Sequence, residues 1–136
     1  MKAKEFKEQN LIIAEDQKEY ENLPAFAQQN GILTYCMELT DEEIKKTSAE
    51  NEVNITVLNF GGPVQPMAVS VHKPKFPVLP NIKTESNAKT WELEAGTATF
   101  HFPLSDHKLK TLKKTKLLWV TVVTFGKPLQ PIRTES

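Results

Sequence analysis

The sequence predicts an α+β fold made by tandem duplication of one ββαββ unit, packed about a pseudo-twofold axis with its helices on one face of antiparallel sheet. The first observation behind this is an internal repeat. Phe60-Gly61-Gly62-Pro63-Val64-Gln65-Pro66 returns as Phe125-Gly126-Lys127-Pro128-Leu129-Gln130-Pro131, a displacement of 65 residues (125 minus 60). The same displacement aligns residues 31–67 with 96–132 without a gap, and 12 of those 37 positions are identical, where chance supplies roughly two. The second is the order of patterns inside each copy, which reads hairpin, helix, hairpin. The third is a helix-capping signature at matching positions of both copies. The expected layout is a single domain over 1–136, with repeats at 22–71 and 87–136 and a linker at 72–86 carrying Pro74, Pro77 and Pro80.

Each element follows from local chemistry. In the first copy two apolar runs flank Gln29-Asn30-Gly31, and Asn-Gly supplies the positive φ angles that a tight hairpin needs. In the second copy Ala95-Gly96 takes that place, and Phe26 and Trp91 occupy the same repeat position, so an aromatic is expected to anchor each leading strand. Leu33, Tyr35 and Met37 alternate with Thr34, Cys36 and Glu38 in the second strand, the period of a half-buried strand. Thr40-Asp41-Glu42-Glu43 is a capping box, since the Thr40 hydroxyl can accept from the Glu43 amide while the Glu43 carboxylate reaches back. Ser105-Asp106-His107-Lys108 keeps the cap and loses the glutamate. The runs 53–58 and 117–123 are rich in β-branched residues and read as central strands. After them the Phe-Gly-x-Pro turn is expected to fold the chain back as a second hairpin. Residues 1–21 have no repeat partner and read as a short helix or strand on an edge.

Composition narrows the function classes. Seventeen Lys+Arg balance seventeen Asp+Glu in 136 residues, and Arg133 is the sole arginine. Nucleic acid is therefore not an expected partner, because base and phosphate recognition favours the bidentate guanidinium. Cys36 is the single cysteine, which removes an internal disulfide and a cysteine-based zinc site and fits a reducing, cytoplasmic compartment. The longest apolar run near the start is too short for a membrane span. No metal and no cofactor is expected, since His72, His101 and His107 lack ligand spacing.

The paired loops are the leading candidate site. Phe60 and Phe125 offer stacking surfaces, Gly61 and Gly126 the turn, and Gln65 and Gln130 an amide with both donors and acceptors. Against this stands a purely structural role for each glutamine, satisfying exposed backbone groups. Lys127 and the lysines of the second helix, Lys110 and Lys113 above all, could add a docking patch for an anion. The first helix opens acidic and the second is basic, so a single site would lean on the second half. Catalysis requires more than the sequence offers. Cys36 and His101 are repeat-equivalent and a twofold could bring them together, yet no orienting acid accompanies them. Asp41 and Asp106 are explained by the positive ends of their helices.

The segments Leu39-Thr40-Asp41-Glu42-Glu43-Ile44 and Thr124-Phe125-Gly126-Lys127-Pro128-Leu129-Gln130-Pro131 resemble a pattern of small bacteriophage and mobile-element proteins. Those proteins join an "LTxEEI" helix start to a "TFGxPLQP" hairpin, and here the pair occurs twice. The resemblance covers both repeats and implies no site residues. What it implies is a non-catalytic accessory protein of the bacterial host cytosol that blocks a host defence protein; the lysine-rich second helix beside the Phe-Gly loops adds the expectation of a small anionic or nucleotide-like ligand to sequester, and a homo-oligomer is a further expected partner state. The competing expectations are a small Cys/His hydrolase and a structural virion or assembly protein.

Overall fold

The computed structural model describes residues 1–16, 21–78, 90–94 and 96–133, with backbone alone for 90–94 and 133. The expected linker thus lies outside the described residues from position 79 onward, as does the start of the second repeat. Ten strands and two helices are present among the described residues: β1 Lys2–Lys4, β2 Leu11–Ile13, β3 Leu23–Ala27, β4 Ile32–Glu38, α1 Asp41–Glu50, β5 Glu52–Leu58, β6 Met67–Ser70, β7 Thr90–Glu94, β8 Thr97–Pro103, α2 Asp106–Thr115, β9 Leu117–Val123 and β10 Ile132–Arg133. The fold is α+β and its strand pairings are antiparallel.

The strands form two sheets rather than one. The first runs β2-β3-β4-β9-β6, with β1 also on β4, and the second runs β10-β5-β8-β7. Each sheet therefore takes its two central strands from different halves of the chain. Tyr35 of β4 lies opposite Val120 of β9, and Ile55 of β5 lies opposite Phe100 of β8. One continuous core lies between the sheets. Leu33, Tyr35, Met37, Leu118, Val120 and Val122 contribute from one side, and Val53, Ile55, Val57, Ala98, Phe100 and Phe102 from the other. The period-2 alternation predicted for β4 sends Leu33, Tyr35 and Met37 into this core.

Two expectations are corrected here. The chain after β5 does not fold back as a hairpin, because β6 pairs with β9 and β10 pairs with β5. Prolines explain this: Pro63, Pro66, Pro128 and Pro131 have no N–H to give to a ladder on their own preceding strand. The segment crosses to the other sheet, where the Leu58 amide donates to the Pro131 carbonyl at 2.8 Å and the Val123 amide to the Pro66 carbonyl at 2.9 Å. The helices likewise do not lie on a sheet face. Each leaves one sheet and enters the other, α1 from β4 to β5 and α2 from β8 to β9, so they bridge one end of the stack. Ile44, Leu109 and Leu112 are their core contributions.

The matching aromatics are the third difference. Phe26 pairs with Thr34, whereas Trp91 pairs with Phe100, so the two are one step out of register. Five residues separate the paired Ala27 and Leu33, and two separate the paired Glu94 and Thr97. The backbone registers of the two hairpins thus differ by one residue, which the ungapped alignment of the two segments conceals.

Contacts between the halves are reciprocal at the repeat displacement. The Thr124 amide donates to the Gly31 carbonyl at 2.8 Å and the Asn59 amide to the Gly96 carbonyl at 2.9 Å. At the helical end the Leu39 amide donates to the Lys116 carbonyl and the Leu104 amide to the Asn51 carbonyl, both at 2.8 Å. Thr34 and Thr121 face each other through their hydroxyls at 3.3 Å, as Thr56 and Thr99 do at 2.9 Å. The outer faces differ. That of the first sheet is covered by an aromatic cluster in which Phe6 meets Trp119 edge-on at 5.3 Å and Phe76 contacts Phe26 at 4.7 Å. On the second sheet the corresponding positions hold His101 and Asn54, bonded at 2.7 Å. Residues 1–13 contribute two short strands, of which β1 lies beside β4 and β2 extends the sheet beyond β3.

Candidate functional site

The two Phe-Gly loops lie at the end of the stack opposite the helices. There they form a clasp. The Gln65 amide N–H donates to Gln130 Oε1 at 3.2 Å, and the Gln130 amide N–H donates to Gln65 Oε1 at 3.1 Å. Gln65 Nε2 then donates to the Pro128 carbonyl at 3.0 Å, and Gln130 Nε2 to the Pro63 carbonyl at 2.8 Å. Each glutamine thus serves the opposite loop with both ends of its amide. The prolines explain why an amide is needed, because they leave carbonyls with no ladder donor and the glutamine supplies one. These side chains are committed to structure, and the polar contact they were expected to offer a ligand is already spent.

Phe60 and Phe125 are in the opposite condition. They are 74% and 70% exposed, and their φ angles of 54° and 55° lie in the left-handed region. That conformation costs a non-glycine residue roughly 1–2 kcal/mol. The next residue in each loop, Gly61 or Gly126, also has positive φ and tolerates it without strain. The turns are fastened from below by the Asn59 and Thr124 bonds to Gly96 and Gly31. A Cβ on Gly31 would approach the Gly126 nitrogen to 3.1 Å, which fixes how closely hairpin and loop pack. The aromatic rings are therefore presented on rigid supports.

Beside the second loop is a cleft of about 420 Å³. Leu11 and Ile13 of β2, Ala27 and Ile32 of β3 and β4, and Lys127, Pro128 and Leu129 of the loop segment line it. Leu11, 44% exposed, is the third large apolar side chain open to solvent among the described residues. Its partner strand β2 comes from the segment without a repeat counterpart, and Gly62 stands where the second loop has Lys127. No signal in the sequence marks this cleft, because it depends on residues 11–14 returning to the β3 edge.

Lys110 and Lys113 do not join this site. They lie on α2, beyond the full length of β8, roughly 20 Å of strand from the loops. There they border a separate cleft of about 460 Å³ between the helices, with Ser48, Asn51 and His107. α1 ends at Asn51 with no basic residue in its last turn, so these lysines stand where the negative end of its dipole is uncompensated. Lys116 is paired with Asp41 at 2.8 Å, and the lysine beside it holds the Asp41 carboxyl below the usual range.

The groups weighed for catalysis also separate. Cys36 belongs to the first sheet and His101 to the second, and each lies on the side of its strand turned away from the shared core. Cys36 is buried, and burial pushes its thiol up to about 12, with Lys4 opposing the shift and Glu38 adding to it. That is the reverse of an activated nucleophile. His101 bonds Asn54 and lies 3.6 Å from Glu52. Among the described residues, no group of three or more His, Cys, Asp or Glu could hold a metal ion, and no helix is long and apolar enough to cross a membrane.

Compared with known protein families, with characterised proteins and with solved structures, the chain matches none.

Proposed function

We propose that this chain is a non-catalytic binding protein that engages and blocks another protein through its loop end, with Phe60 and Phe125 as anchors. We further read it as a tandem duplication of one ββαββ unit about a pseudo-twofold axis. The reciprocal contacts at the 65-residue displacement, from the glutamine clasp to the paired threonines, support that origin.

One observation carries the functional reading: an aromatic ring held twice in left-handed backbone with most of its surface in water. Most of each ring's surface gains nothing from folding. Glycine or asparagine would relieve the backbone strain, and a polar side chain would remove the exposed apolar area. Strained, solvent-exposed aromatics on fixed supports are features that binding accounts for, since such side chains dominate interface energetics. The likeness of both motifs to small phage proteins makes a bacterial host protein in the cytoplasm the partner to test first.

The test uses Phe60→Asn with Phe125→Asn, which keeps left-handed turns accessible. Burying a phenylalanine contributes about 1.5–3 kcal/mol, so losing both should weaken capture of the partner more than tenfold while thermal stability holds or rises. A double variant that captures the same host protein as the parent, or a parent that captures none, would sink the proposal.

A further inference from the structure

We propose that the cleft between β2 and the second Phe-Gly loop binds an apolar monoanion: a small molecule with an aliphatic or aromatic body and one carboxylate or sulfonate head. The proposal stands apart from the protein-binding reading, because it rests on the cleft and not on the exposed rings.

Shape comes first. At about 420 Å³ the cleft falls in the range of small-ligand sites, roughly 300–1,000 Å³. Of its lining residues, Ile13, Ala27 and Leu129 also pack against the main core. Leu11 stands at the rim with 44% of its surface exposed, so an apolar body entering here covers surface now in contact with water.

Polarity then specifies the head. Lys127 is the one ionisable residue lining the cleft, and it has no ion pair among the described residues. Of the three other polar side chains that line it, two are already engaged and the third, Gln29, is exposed to solvent. Gln28 Nε2 donates to the Val78 carbonyl at 3.0 Å, its Oε1 accepts from the Val78 amide at 2.7 Å, and the Thr124 hydroxyl donates to the Gly31 carbonyl at 2.7 Å. A ligand with several polar groups would find few side-chain partners here, whereas a single anionic head meets Lys127, the one cation lining the cleft. The first loop has Gly62 in place of Lys127, and among the described residues no counterpart of β2 lies beside it. One such site among the described residues is the consequence.

Decanoate, kept below its micellar concentration, is the probe, with backbone amide chemical shifts as the readout. The expected result is saturable shifts confined to residues 11–14, 28–33 and 124–129. Lys127→Ala should weaken decanoate at least about tenfold, the loss of one charge-assisted contact, and uncharged decanol should bind the parent no better than decanoate binds that variant. Gly62→Lys, which places a cation on the first loop, should create no second site. Absence of saturable shifts, shifts centred elsewhere, a Lys127→Ala variant that binds decanoate like the parent, or decanol matching decanoate would each overturn the proposal.

Discussion

Gln65 and Gln130 show how a single side-chain type can solve a problem that prolines create. The Pro-x-Gln-Pro segments must leave their own sheets, and their carbonyls would lose partners on the way. Two amides facing each other supply four hydrogen bonds, one pair in each direction. Removing one of them is therefore costlier than its partial exposure suggests. In Gln65→Ala the Gln130 amide loses its acceptor and the Pro128 carbonyl its donor, and an orphaned group costs about 1–3 kcal/mol. The variant should fold, with a urea midpoint clearly below the parent's and an unchanged m-value. Gln130→Ala should behave alike, and the double variant should lose less than the sum, because losing either glutamine's pair of bonds loosens the loops that hold the other's pair in place. Strict additivity would mean that the clasp does not act as a unit. Identity at these positions was visible in the sequence. Their direction was not, because a glutamine aimed at solvent and one aimed at a proline carbonyl read the same until the crossing of the loops is known.

At the scale of elements, local chemistry was a sound guide and long-range pairing was not. The Thr40 cap holds as its spacing suggested, with the Glu43 amide donating to Thr40 Oγ1 at 3.2 Å and the Thr40 amide to Glu43 Oε1 at 2.9 Å. The Asn-Gly hairpin and the apolar central strands were equally legible, since each is set by neighbours in sequence. The second hairpins failed because a turn motif reports that the chain bends without reporting which sheet receives it. The offset of Phe26 from Trp91 failed because two hairpins of different loop length hide inside one gapless repeat. That difference gives a prediction. Gly31 and Gly96 are equivalent in sequence and both have positive φ, 83° and 84°, so alanine at either position pays roughly 1–2 kcal/mol for left-handed backbone. At Gly31 the new methyl also meets the Gly126 nitrogen at 3.1 Å, while at Gly96 the nearest atom is the Phe60 Cα at 3.7 Å. Gly31→Ala should therefore be the more destabilising of the two in chemical denaturation, and the reverse order would show that the longer hairpin yields where the shorter one does not.

Across the whole molecule the exchange of strands decides what can fold alone. β5 has β8 on one side and β10 on the other, both from the second half, and among the described residues β6 pairs with β9 alone. A fragment of residues 1–78 keeps β4, α1 and β5 in sequence yet leaves β5 with no partner on either edge. Val53, Ile55 and Val57, all buried in the parent, would then face water along a strand whose ladder donors and acceptors are also unmet. Such a fragment should not unfold cooperatively as a monomer. If the halves are copies of one unit, a second molecule can offer its own β5 where β9 normally lies beside β4, so order should return only with association. Sedimentation and circular dichroism over a concentration series separate the cases, because gain of sheet signal must track dimer formation. A folded monomer of residues 1–78 would refute the fused-dimer reading outright. Structure that appears only with the dimer would identify the covalent join as what freed the two halves to diverge: one outer face toward His101 and Asn54, the other toward an aromatic cover, and a lysine beside only one of two otherwise matching loops.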